Sequence, residues 1–129
     1  MKRIVFISIV ILTSLRVYSI DIPEEIVTAF SSGNATLLAK YFNQTIELTL
    51  LDKEEVYSKT QAEIIMRDFF NSNPPKQFQI MHEGGKETSK YAIGTLTAES
   101  NKYRITFLLK SLDSKVYIHQ LRIEYDNVQ

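Results

Sequence analysis

The chain has 129 residues, 15 basic side chains balanced by 15 acidic ones, 44% hydrophobic residues and no cysteine. The lack of cysteine excludes a disulfide framework, thiol catalysis, a cysteine-ligated metal and a lipid anchor through an N-terminal cysteine. The balance of charge leaves no basic excess for phosphate backbones, which argues against a nucleic-acid partner.

Lys2 and Arg3 precede a run from Ile4 to Leu15 that is apolar apart from Ser8, Thr13 and Ser14. Val17 and Ser19 then occupy the minus-three and minus-one positions of a cleavage site after Ser19. A spanning helix needs about 20 apolar residues, and Arg16 interrupts this shorter run. The pattern predicts a signal peptide over residues 1–19, with an uncleaved anchor as the alternative, and a single domain over 20–129. Export without disulfides fits a bacterial periplasm or an extracellular location. Without Lys2, Arg3 and Arg16 the remainder carries 12 basic against 15 acidic side chains, near −3. An anionic membrane surface is therefore not a favoured partner, and no later segment reads as a membrane span.

Asp21 and Glu24 have capping-box spacing, and Pro23 suits a first helical turn. Ile22, Ile26, Val27 and Phe30 form an apolar helical stripe that Gly33 terminates. Asn34 can cap a second short helix with the stripe Leu37, Leu38, Tyr41 and Phe42. Ile46 to Leu50 alternates like a strand, Asp52 and Lys53 read as a turn, and Val56 with Tyr57 forms a short strand. Ser58 and Gln61 make a second capping box. It opens the main helix, about residues 59–72, with Ala62, Ile65, Met66, Phe69 and Phe70 on one face. Pro74 and Pro75 end it.

Beyond Pro75 the period changes to two. Phe78, Ile80 and His82 share a face, and Gly84 with Gly85 marks a turn or bulge. Strict alternation then puts Tyr91, Ile93, Thr95 and Thr97 inward; Tyr103, Ile105, Phe107 and Leu109 inward; and Tyr117, His119, Leu121, Ile123 and Tyr125 inward. Four strands joined by short turns predict an antiparallel meander. With the helices first, the class is α+β. A small, strongly twisted sheet curls, so N-terminal helices packed on a strongly curved antiparallel sheet predict a tapering hollow. Its candidate lining is Tyr41, Phe69, Tyr91, Tyr103, Phe107, Tyr117, His119 and Leu121. Tyrosine suits such walls because it joins apolar area to a hydroxyl. The opposite face carries Leu96, Thr106, Leu108 and Ile118 beside Arg104, Gln120 and Arg122, a candidate dimer face.

Catalytic signals are sparse. His82 and His119 lie 37 positions apart without metal-ligand spacing, and no acid shares their strand faces among the apolar residues. Asp68, on the main helix, could pair with a histidine only through long-range geometry. The run Asp52 to Glu55 lacks the calcium-loop pattern, and Gly84–Gly85 is not a phosphate-binding loop. No serine sits in a nucleophile motif. No metal or cofactor is expected.

The order helix, helix, strand, long helix, meander resembles the nuclear transport factor 2-like, cystatin-like cone fold. More narrowly, the chain resembles an uncharacterised family of exported Bacteroidetes proteins, a domain of unknown function. The matching stretches are residues 22–42, 47–70, 73–85, 91–96 and 117–124. The resemblance implies a cone-shaped pocket and frequent dimers through the convex sheet face. It implies no activity, because the superfamily mixes isomerases and dehydratases with non-catalytic binding and association domains. The expected function is non-catalytic binding of a small apolar ligand or an envelope protein. The alternatives are an association module that forms homodimers, and a pocket-histidine isomerase or dehydratase.

Overall fold

The computed structural model describes residues 20–126, so the expected signal peptide lies outside the described residues. Two short helices open the domain, α1 (Glu24–Ser32) and α2 (Ala35–Ala39), followed by strands β1 (Phe42–Leu50) and β2 (Lys53–Ser58). The long helix α3 (Lys59–Ser72) leads to β3 (Pro75–Lys86), β4 (Ser89–Ala98), β5 (Lys102–Leu112) and β6 (Lys115–Tyr125).

Local chemistry sets most helix ends. Gly33 stops α1 in left-handed geometry at φ 66°, where a side chain would be strained. The Asn34 carboxamide oxygen caps α2 by accepting the Leu37 amide at 3.0 Å. Ser58 and Gln61 form the reciprocal capping box at the head of α3. The Asp21 cap is corrected: Pro23 is the N-cap of α1, and no side chain bonds the first turn. The Pro23 carbonyl instead accepts the Ile26 amide at 3.0 Å.

The six strands form one sheet in the order β2-β1-β6-β5-β4-β3. Strands β3 to β6 are the expected antiparallel meander. The strongly curved antiparallel cone is corrected. β1 joins β6 in parallel, so the sheet is mixed, and β2 and β3 remain as separate open edges. The physical reason is topological. Chain that would have closed a curled meander instead extends it on the β6 side, and α3 carries the chain to the opposite edge before the meander begins. The class remains α+β, without strong curling or closure.

The helices cover one face only. Phe30 of α1 sits with its ring centroid 4.8 Å from that of Phe78 and 5.9 Å from that of Phe107. Phe69 of α3 meets Tyr103 edge-on at 5.0 Å. Phe107, Leu121, Ile105 and Ile123 are buried against the helices as the alternation predicts.

Elsewhere the register departs from strict alternation. In β4 the inward set is Ala92, Gly94, Leu96 and Ala98, all buried, whereas Tyr91 is 38% exposed on the other face. Small residues face inward here because aromatic rings fill the layer above. A Cβ placed on Gly94 would stand 2.6 Å from the Phe78 ring. In β6 a bulge resets the parity. Leu108 opposes Gln120 while Leu109 opposes Ile118, which leaves His119 as the extra residue. Ile118 is consequently core, and Tyr117 turns away from the core opposite Lys110. A similar shift between Ile80 and His82 makes Met81 the extra residue of β3. No helix among the described residues is long and apolar enough to cross a membrane.

Candidate functional site

The face of the sheet opposite the helices is organised by lateral pairing. One row runs Val56, Glu47, Gln120, Leu108, Tyr91, Gly84, and the adjacent row runs Glu54, Thr49, Arg122, Thr106, Ile93, His82. Side chains opposed across strands share a face and touch. These rows hold a shallow depression of about 330 Å³, bordered also by Arg104 and Glu124. Its apolar part lies on β4 and β5, where Leu108 and Ile93 are half-buried, and most of its charges lie toward β6, β1 and β2.

Several contacts fix its geometry. Gln120 donates from Nε2 to Glu47 Oε2 at 2.8 Å, which joins β6 to β1 on this face. Arg122 Nη1 lies 3.3 Å from Glu124 Oε1, an exposed pair worth a few tenths of a kcal/mol. Tyr91 lays its ring over Gly84, where an added Cβ would meet the phenol at 2.7 to 2.9 Å. The His82 ring lies 6.1 Å from the Tyr91 ring.

The residues read as a pocket lining separate into three groups. Phe69, Tyr103, Phe107 and Leu121 come together in the core, where aromatic rings occupy the space that a cone would leave hollow. Tyr91, Tyr117 and His119 lie off the core, for the parity reasons given above. Tyr41 is half-buried beside α1 and donates its hydroxyl to Glu25 Oε2 at 2.8 Å. Burial raises the Tyr41 phenol above its ordinary value, and the bonded Glu25 carboxylate adds in the same direction.

Of the residues read as a dimer face, Arg104, Thr106, Leu108, Gln120 and Arg122 share the uncovered face, while Leu96 and Ile118 lie in the core. The reading of single strands did not place Ile93, Val56 or Glu54 on this face. The signal that finds them is cross-strand pairing, which a single strand's pattern does not carry.

His119 is half-buried at its bulge, with Nε2 sheltered and without a hydrogen-bond partner. Burial lowers its pKa, and the Lys110 ammonium adds to the effect. His82 is exposed, as is Asp68. Among the described residues neither imidazole is bonded to a carboxylate, and no three potential metal ligands cluster.

The family model described as "Domain of unknown function (DUF4783)" matches residues 23–124. A DUF4783 family protein from Bacteroides ovatus is 31% identical, with a TM-score of 0.79 over 83% of this chain and 97% of that one. Another from Bacteroides fragilis is 33% identical, with a TM-score of 0.78 over 81% and 99% of the two chains. A domain of unknown function with a cystatin-like fold from Nostoc punctiforme shares the fold at 8% identity, with a TM-score of 0.65 over 81% and 73%. No curated protein matches. The chain therefore belongs to the DUF4783 family, and its fold is similar to the cystatin-like fold of the Nostoc punctiforme domain.

Proposed function

We propose that this chain is an exported, non-catalytic association domain that binds a second copy of itself through the uncovered sheet face. The observation that carries the reading is the composition of that face. Ile93, Leu108 and Tyr91 form an apolar patch on β4 and β5, and acids (Glu47, Glu54, Glu124) and bases (Arg104, Arg122) line the same depression. A twofold interface sets a patch against itself, so a patch carrying both signs of charge can satisfy its own edges.

Sedimentation equilibrium from micromolar to submillimolar protein tests the reading. The expected result is a concentration-dependent dimer that Leu108→Asp with Ile93→Asp dissociates without loss of folded circular dichroism. Monomer at every concentration would overturn it. Export is tested by N-terminal sequencing of the protein released by its native host. An N-terminus at Ile20 is expected, and retention of Met1 counts against cleavage.

A further inference from the structure

A second opening in the fold lies away from the sheet face. It is a cleft of about 570 Å³ walled by the start of β1, the first residue of α3 and the β5–β6 turn. Its origin is a bow in β1. Phe42 pairs with Ile118 and Glu47 with Gln120, so five steps along β1 are spanned by two along β6. The chain from Asn43 to Ile46 therefore swings out from β6, while the Ile118 amide holds the Tyr41 carbonyl at 2.6 Å and anchors the inner end.

The charge inside this cleft is one-sided. Lys40, Lys59 and Lys115 line it, and no acidic side chain does. The ion pairs among the described residues use Lys53, Arg67, Lys90 and Arg122, so none of the three cleft lysines is neutralised in that way. Lys59 is also the first residue of α3, whose N-terminal end adds a partial positive charge to the same rim. Glu25 stands beside the wall with its Oε2 engaged by the Tyr41 hydroxyl at 2.8 Å, and Asp113, in the β5–β6 turn, is not among the lining residues. The rest of the wall is largely apolar: Tyr41, Tyr117 and Val116 are half-buried, and Leu112 is 57% exposed. Like charges gathered around one concavity repel, and an anion seated between them relieves that repulsion.

We propose that this cleft binds an organic anion, with a carboxylate or phosphate head held by Lys40, Lys59 and Lys115 and an apolar body lying on Tyr41 and Tyr117. The volume falls within the ordinary range for a small-molecule site. This site shares no residue with the association face, so either proposal can fail alone.

The test is a titration of isotope-labelled protein, followed by amide shifts, with octyl phosphate and with octanoate below their micelle-forming concentrations and with octanol as the uncharged control. Saturable shifts at residues 40–44 and 115–117 are expected with at least one anion and not with octanol, and the stronger binder identifies the headgroup. Added salt should weaken binding, as should Lys40→Glu with Lys115→Glu, by about tenfold or more. Both lysines are exposed, so the variant should keep the wild-type melting curve. As a milder second variant, Lys40→Gln with Lys115→Gln should fall between the two. No saturable shift at these amides with either anion would overturn the proposal. So would equal binding of octanol, insensitivity to salt, or undiminished affinity in the charge-reversed variant.

Discussion

Tyr103 donates its buried hydroxyl to Asn73 Oδ1 at 2.6 Å and so ties the start of β5 to the end of α3. Asn73 is itself fixed, since its amide and its Nδ2 both donate to the Phe69 carbonyl, at 2.9 and 3.1 Å. Phe69 packs edge-on against the Tyr103 ring, which closes a loop of contacts around the helix terminus. Tyr103→Phe removes one hydrogen bond and should cost about 0.5–1.5 kcal/mol in urea unfolding. Asn73→Ala leaves the tyrosine hydroxyl without this partner in a site only 2% exposed, and should cost about 1–3 kcal/mol. Equal stability of Asn73→Ala and wild type would show that the link contributes nothing.

Most features carried by neighbouring residues were legible in the sequence, the Asp21 cap being the exception. The Ser58–Gln61 box, the Asn34 cap and the Gly33 stop each involve residues within four positions, and each is observed. The sheet was harder for two physical reasons. One extra residue at a bulge, Met81 in β3 or His119 in β6, reverses every later side chain, and period-two counting has no means of detecting it. The parallel pairing of β1 with β6 is long-range, and it keeps the sheet open. Ser58→Ala tests the local side of this contrast: it should lower stability by about 0.5–2 kcal/mol, read from the denaturation midpoint at constant slope.

The inverted register of β4 has its own test. Bulk alone favours Tyr91 and Ile93 as inward residues over Ala92 and Gly94, yet Phe78 takes up the room over Gly94. Gly94→Ala should destabilise by about 1–3 kcal/mol, because its Cβ meets the Phe78 ring at 2.6 Å and the Gln79 carbonyl at 2.9 Å. Combining it with Phe78→Leu should cost less than the two single changes together, since the smaller side chain vacates the contested space. Strict additivity in a double-mutant cycle would mean that the ring and the glycine are not coupled.

His119 supplies a pH dependence whose sign can be worked out. Its Nε2 has no partner, and burial followed by the nearby Lys110 lowers its pKa in the folded protein. In the unfolded chain the imidazole titrates near its ordinary value of about 6.5. Above that pH both states hold it neutral and stability is complete. As the pH falls, the unfolded chain takes up the proton first, so stability is lost from about pH 6.5 down through the folded value and then levels off. His119→Gln removes the titration while keeping a polar side chain of similar length. Unfolding curves collected between about pH 7.5 and 5.5 should therefore show wild type losing stability relative to the variant as the solution is acidified. A difference that stays constant across that interval would show that the folded imidazole protonates as readily as a free one, and that its buried nitrogen finds a proton acceptor or water the fold leaves open.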